Sequence, residues 1–166
     1  MFTTVKDFIY IWSNEFEATQ KVFKHLTDKS LTQQVAPGSR TLGLLAWHIV
    51  TTIPEMMGRT GLAIQGPAHA APVPASAKPI FDAFNTAAET LLNEVRSKWT
   101  DDSLQIEDEM YGEKWKRGST LTSLVFHQIH HRAQMTVLMR QAGLKVPGVY
   151  GPSQEEWATM GMKAPA

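Results

Sequence analysis

Three of the chain's six histidines fall within five residues, in His127-Gln128-Ile129-His130-His131. Helical periodicity surrounds them from Thr120 to Ala142. At 3.6 residues per turn, His127 and His131 lie one turn apart on a face that also carries Leu124, Met135 and Leu138. His130 falls at the edge of that face. Inward-facing imidazoles need partners, and a divalent cation would satisfy both at once. A His-x-x-x-His pair alone is a weak pattern, so a third ligand from another element is needed.

His48 is the candidate. Residues 41–57 read as a helix, with His48 midway along it on an inward face beside Thr41, Leu44, Thr52 and Glu55. Three neutral imidazoles from two facing helices make a facial set with open positions, the arrangement of a catalytic rather than a closed structural metal site. Zinc or nickel suits imidazole best, with iron or manganese as alternatives. Ligated imidazoles want an acceptor on the other ring nitrogen. Gln134, Glu55, Thr52 and Thr120 project nearest, and no general base stands out among them. The residues leave other readings open. His48 could be a core imidazole bonded to a backbone or threonine oxygen. His127 and His131 could form a polar seam, with Phe126 and His130 turned to solvent or to a partner subunit. Glu55 could be a solvated residue past a kink rather than a wall of the pocket. His25 and His69 carry no signal.

Four amphipathic helices must position these residues. Residues 4–27 form the first, capped by Thr3 or Thr4, with Val5, Phe8, Ile9, Trp12, Phe16, Phe23 and Leu26 on one stripe. Glu15 lies at the stripe's edge, where a carboxylate reaches water while its stem packs. The second helix, 41–57, is capped by Ser39 or Thr41, and Pro54 predicts a kink near residue 50. A Gly-, Pro- and Ala-rich connection, 58–77, is long enough to cross the end of a bundle. The third helix, 77–98, carries an apolar stripe and no chemistry. Residues 99–118 are polar and broken, with a short strand at Leu104-Gln105-Ile106 and a hairpin return at 111–115. Ser119 or Thr120 caps the fourth helix, which Gly143 closes. The tail is extended through Pro152, and Ser153-Gln154-Glu155-Glu156 starts a last short helix to about Met160. The tryptophans and methionines read as core or interface.

Composition bounds the rest. At 166 residues the chain is read as one domain, 1–166. Sixteen basic and sixteen acidic residues cancel, which removes the electrostatic footprint of a nucleic-acid binder. With no cysteine, thiolate ligands and a cysteine nucleophile are excluded. Charged residues interrupt the N-terminal apolar residues, and no apolar run reaches ~18 residues. A soluble cytoplasmic protein without membrane or nucleic-acid partners is expected.

Arg40-Thr41-Leu42-Gly43-Leu44-Leu45-Ala46-Trp47-His48, His127 through Gln134, and Pro147-Gly148-Val149-Tyr150-Gly151-Pro152 together resemble the DinB-like (DNA-damage-inducible B, YfiT-like) family across the whole chain. The common pattern has Gly where this chain has Ala133. The resemblance implies an all-α four-helix bundle of up-down-down-up topology with long connections. It implies a divalent metal on His48, His127 and His131, and a homodimer. Some relatives are thiol-dependent S-transferases or isomerases, and many have no assigned activity. The expected function is therefore a metal-dependent thiol S-transferase acting on a small thiol and an electrophile. The alternatives are a metal-dependent hydrolase, a non-enzymatic metal- or ligand-binding bundle, and a purely structural one.

Overall fold

A computed structural model describes residues 1–163. Four helices carry the fold: α1 (Val5–Phe23), α2 (Leu42–Gly58), α3 (Ala77–Lys98) and α4 (Arg117–Gln141). α1 packs mainly on α3 and α4, and α2 packs on the same two. Consecutive helices α1 and α2 therefore sit across the bundle from each other, as do α3 and α4. Long connections make that order possible, and the expected four-helix bundle is what forms. Among the described residues, no helix is long and apolar enough to cross a membrane.

The apolar stripes meet along the bundle axis. Trp12 of α1 is fully buried and donates its indole N–H to the Ala88 carbonyl of α3 at 3.2 Å. Phe8 stacks on Trp12, and Phe16 and Phe23 both pack against Phe84. Such aromatic clusters combine large apolar burial with fixed geometry.

Several ends differ from the sequence reading. α1 stops at Phe23, because Thr27 and Ser30 cap each other and open a separate 3₁₀ turn, Asp28–Thr32. Thr4 caps α1 and Thr41 caps α2, each accepting from the amide three residues on. α2 runs unbroken through Pro54. α4 begins at Arg117, so neither Ser119 nor Thr120 is its cap.

The fold also includes a hairpin, so it is mostly rather than wholly helical. Leu104 is not in a strand. The Thr100 amide bonds the Ser103 hydroxyl at 2.9 Å and winds Asp102–Gln105 into a 3₁₀ turn that buries Leu104. The strands follow it, β1 (Glu107–Met110) and β2 (Glu113–Lys116), antiparallel with Met110 opposite Glu113. The two-residue turn Tyr111-Gly112 has positive φ at both positions, 56° and 88°, as tight hairpins require. β2 runs directly into α4. The Arg117–Asp108 ion pair, 2.8 Å, and the Arg117 amide on the Ile106 carbonyl fix that junction.

The tail is extended, then forms a 3₁₀ turn at Trp157–Met160 in place of the expected short helix. Glu156 accepts from the amides of Ser153 and Gly148, while the Ser153 hydroxyl has no partner.

Candidate metal centre

α2 and α4 are packed neighbours, and their facing surfaces bring His48 against His127 and His131. One nitrogen of each ring lies within 4.8 Å of those of the other two. The Nε2 atoms of His48 and His127 are 3.0 Å apart. The rings meet edge to face, with centroids 4.4 to 4.8 Å apart. Two nitrogens sharing a first-row cation at ~2.1 Å lie roughly 3.0 to 3.4 Å apart, depending on the angle between them. The His48–His127 pair matches that spacing. His131 is buried, and the other two are half-buried.

The rings are held neutral. Burial pushes His48 down to about 4, and the nearby His131, Arg40 and His69 add to it. Burial likewise lowers His127 to about 4, with His131 and His48 contributing. His131 is lowered by burial, against the opposing pull of its bond to Gln134. Three uncharged imidazoles at neutral pH offer lone pairs without a prior proton loss. A hydrogen bond can link only one pair of these rings at a time. A cation would satisfy all three together.

Gln134 lies where it can orient a ligand. Its Oε1 accepts from Nδ1–H of His131 at 2.8 Å, which leaves Nε2 of that ring free. Its amide donates to Nε2 of His130 at 3.1 Å, so His130 stands beside the cluster and outside the converging set. Thr52 bonds the His48 carbonyl of its own helix, and Thr120 bonds the carbonyl of Lys116, the last residue of β2. Glu55 makes no hydrogen bond to a histidine among the described residues. Its Oε1 faces Arg59 Nε at 2.8 Å, and its Oε2 accepts from the Tyr111 hydroxyl at 2.6 Å.

Three cavities adjoin the cluster. One, of about 510 Å³, is walled by His48, His127, Glu55, Tyr111 and Trp115. A second, of about 500 Å³, reaches His131 past Arg40, Leu45 and Leu138. The third is smaller, about 260 Å³, between His48, His69 and Trp47.

Four contributors were not visible in the sequence. His69 lies 6.4 Å from His48, centroid to centroid. The connection that carries it is pinned where the Trp47 indole donates to the Ala71 carbonyl. Tyr111 arrives on the hairpin tip at a φ that side-chain-bearing residues rarely adopt. Arg40 borders two of the cavities. The fourth is a buried network behind the site. Glu15, 6% exposed rather than reaching water, pairs at 2.7 Å with Arg132, 3% exposed. Arg132 also donates to the Thr19 and Tyr150 hydroxyls, and Tyr150 donates to Glu15. The residue next to ligand candidate His131 is thereby locked to α1 and to the tail.

Comparison with known proteins identifies the family and the fold. The DinB family model matches residues 1–164. The chain is 46% identical over 165 residues to the uncharacterized protein YrdA of Bacillus subtilis, covering 99% of both chains. It superposes with a TM-score of 0.87 on the crystal structure of a DinB-like protein from Bacillus cereus. That match has 47% identity and covers 90% of this chain and all of the other. A DinB-like protein of Bacillus subtilis, YjoA, shares the fold at 15% identity, with a TM-score of 0.67 over 86% of this chain and 97% of that one. The chain belongs to the DinB family.

Proposed function

We propose that this DinB-family chain is a metal-dependent enzyme of thiol S-transferase type, with His48, His127 and His131 holding a divalent cation. The observation that carries the proposal is convergence: three neutral imidazoles, from α2 and α4, with nitrogens within 4.8 Å of one another. Zinc or nickel is the metal of choice for such a set, with iron or manganese as alternatives. When bound, the cation supplies Lewis acidity that lowers the pKa of a thiol or water.

The chain's own residues do the remaining work. Gln134 fixes the tautomer of His131. Trp115 and Tyr111 wall one cavity. Glu55, already held by Arg59 and Tyr111, shapes that wall. Two separate cavities of about 500 Å³, one reaching His131 and the other reaching His48 and His127, favour a reaction with two organic partners over hydrolysis. In S-transfer the thiol loses its S–H proton, sulfur bonds to an electrophilic carbon, and that carbon releases its leaving group. Such thiols are kept reduced in the cytoplasm, where this reading places the protein, as a homodimer.

Metal analysis of protein reconstituted with each cation, for wild type and His131→Ala, tests the site. One cation per chain, lost in the variant, is expected; a wild type without stoichiometric metal sinks the metal centre. Low-molecular-weight thiols assayed with a chromogenic electrophile test the reaction. Turnover above the metal-free control is expected. Its absence in metal-loaded protein leaves the non-enzymatic metal-binding bundle as the function.

A further inference from the structure

Among the six arginines, Arg59, Arg117, Arg132 and Arg140 each face a carboxylate. Arg40 has no ion pair or side-chain hydrogen bond among the described residues. Arg96 also lacks an ion pair there, but it sits on α3 and lines none of the cavities that reach the histidines. Arg40 lies just before the cap of α2 and lines two of them. One leads to His131 and the other to His48.

No carboxylate lines either cavity. Arg40 shares one cavity wall with His131 and another with His48. Three neutral ligands would not offset a bound dication, and Arg40 adds a further positive charge. Glu55, the carboxylate that lines the cavity on the other side of the cluster, is already taken by Arg59 and Tyr111. Arg40 is itself exposed, so it stands at the cavity mouth, where an anionic ligand would offset this positive charge. The cavity past Arg40 is otherwise mostly apolar, walled by Val35, Leu45, Val137 and Leu138.

We propose that Arg40 is the anion anchor of this site. It takes the carboxylate of a small organic acid whose apolar body lies against Leu45, Val137 and Leu138 and whose far end reaches the histidines. This names the substrate class for the transferase reading and rests on it for the direction the ligand faces. The anion site itself does not require the metal. A guanidinium suits the role, because its fixed fork matches a carboxylate's two oxygens.

A matched pair of probes tests it: 3-phenylpropanoate, and 3-phenylpropan-1-ol, which keeps the body and lacks the charge. Each is titrated by NMR into wild type, Arg40→Gln, Arg40→Lys and Arg96→Gln, both metal-free and zinc-loaded. In metal-free wild type the acid should bind about tenfold tighter than the alcohol. Arg40→Gln should erase that preference, Arg40→Lys should keep part of it, and Arg96→Gln should leave it intact. Alcohol affinity should be the same in every variant, which also reports an intact cavity. The assignment is overturned if wild type shows no preference for the acid or does not bind it. It is equally overturned if Arg40→Gln changes acid affinity by less than about twofold, or weakens acid and alcohol alike. Failure of zinc loading would count against the metal centre only, since the metal-free titration decides Arg40 by itself.

Discussion

His48 and His127 show how surroundings set what a residue can do. Both titrate near 4 in the fold, against the usual 6.5. In the unfolded chain they take up protons as pH falls through about 6.5. In the metal-free fold they resist until about 4. Between these values the unfolded state binds more protons, so acid favours it. The metal-free protein should therefore lose stability steadily from pH 6.5 to about 4, and these two groups should add nothing further below that. Chemical denaturation of chelator-treated protein across this range measures the slope. His127→Asn should flatten it, and an unchanged slope would mean that these imidazoles are not held neutral by burial. All three converging histidines were legible in the sequence, because each sits at helical spacing on an apolar face. Gln134 was legible too, one turn beyond His130 and three residues past His131. Glu15 was not. Its position at the stripe's edge fits a solvated carboxylate equally well. What buries it is Arg132, 117 residues away, and helical periodicity carries no information about a partner on another helix. Arg40, Tyr111 and His69 escaped for a related reason. All three lie in connecting segments, where side-chain direction depends on tertiary contacts.

At the scale of elements, helix α4 is where local pattern and global packing diverge most. Its buried surface includes Gln128, His131 and Arg132 among leucines and methionines, so its polar residues do not mark a solvent face. Polarity also hid its start, since Ser119 and Thr120 look like caps, whereas the chain turns helical straight out of β2. The start is constrained from the other end of the chain. The Phe2 amide bonds the Gly118 carbonyl at 3.2 Å and the Thr122 hydroxyl at 3.1 Å. A Cβ on Gly118 would stand 2.2 Å from the Phe2 carbonyl oxygen. Two effects then compete in Gly118→Ala. Helix propensity favours alanine by up to ~1 kcal/mol, less in a first turn, while backbone overlap costs about 1–3 kcal/mol. The overlap involves main chain that cannot swing aside, so it should win. A net loss of about 1–2 kcal/mol in urea melts is expected, with metal content unchanged, because the histidines lie further along the helix. Equal or greater stability would show that residues 1–4 do not brace α4.

Across the whole molecule, the side of the bundle formed by α1 and α4 is unlike the rest. Its inner surface holds the Glu15–Arg132 pair, yet its outer surface presents Tyr10 at 68% exposure and Phe126 at 65%. Beside Phe126 runs a groove of about 290 Å³ lined also by Phe2, Ile11 and Val125. Scattered exposed apolar residues are ordinary, whereas aromatic ones beside an apolar groove are characteristic of interface cores. Two copies related by a twofold axis would each offer the same patch, and Phe126 of one could enter the groove of the other. The proposed homodimer is best placed here. A dimer on this face would leave the cavity at His48 and His127 open, since its other walls come mainly from α2 and the hairpin. Phe126→Glu should then convert a dimer to a monomer in light scattering while keeping the wild-type metal content. Two desolvated carboxylates facing each other at the interface would cost several kcal/mol, enough to shift a micromolar dimer fully. A Phe126→Glu protein that stays dimeric with its metal bound would move the interface to another face. Loss of metal together with the dimer would instead mean that the α4 surface and the histidine cluster depend on each other.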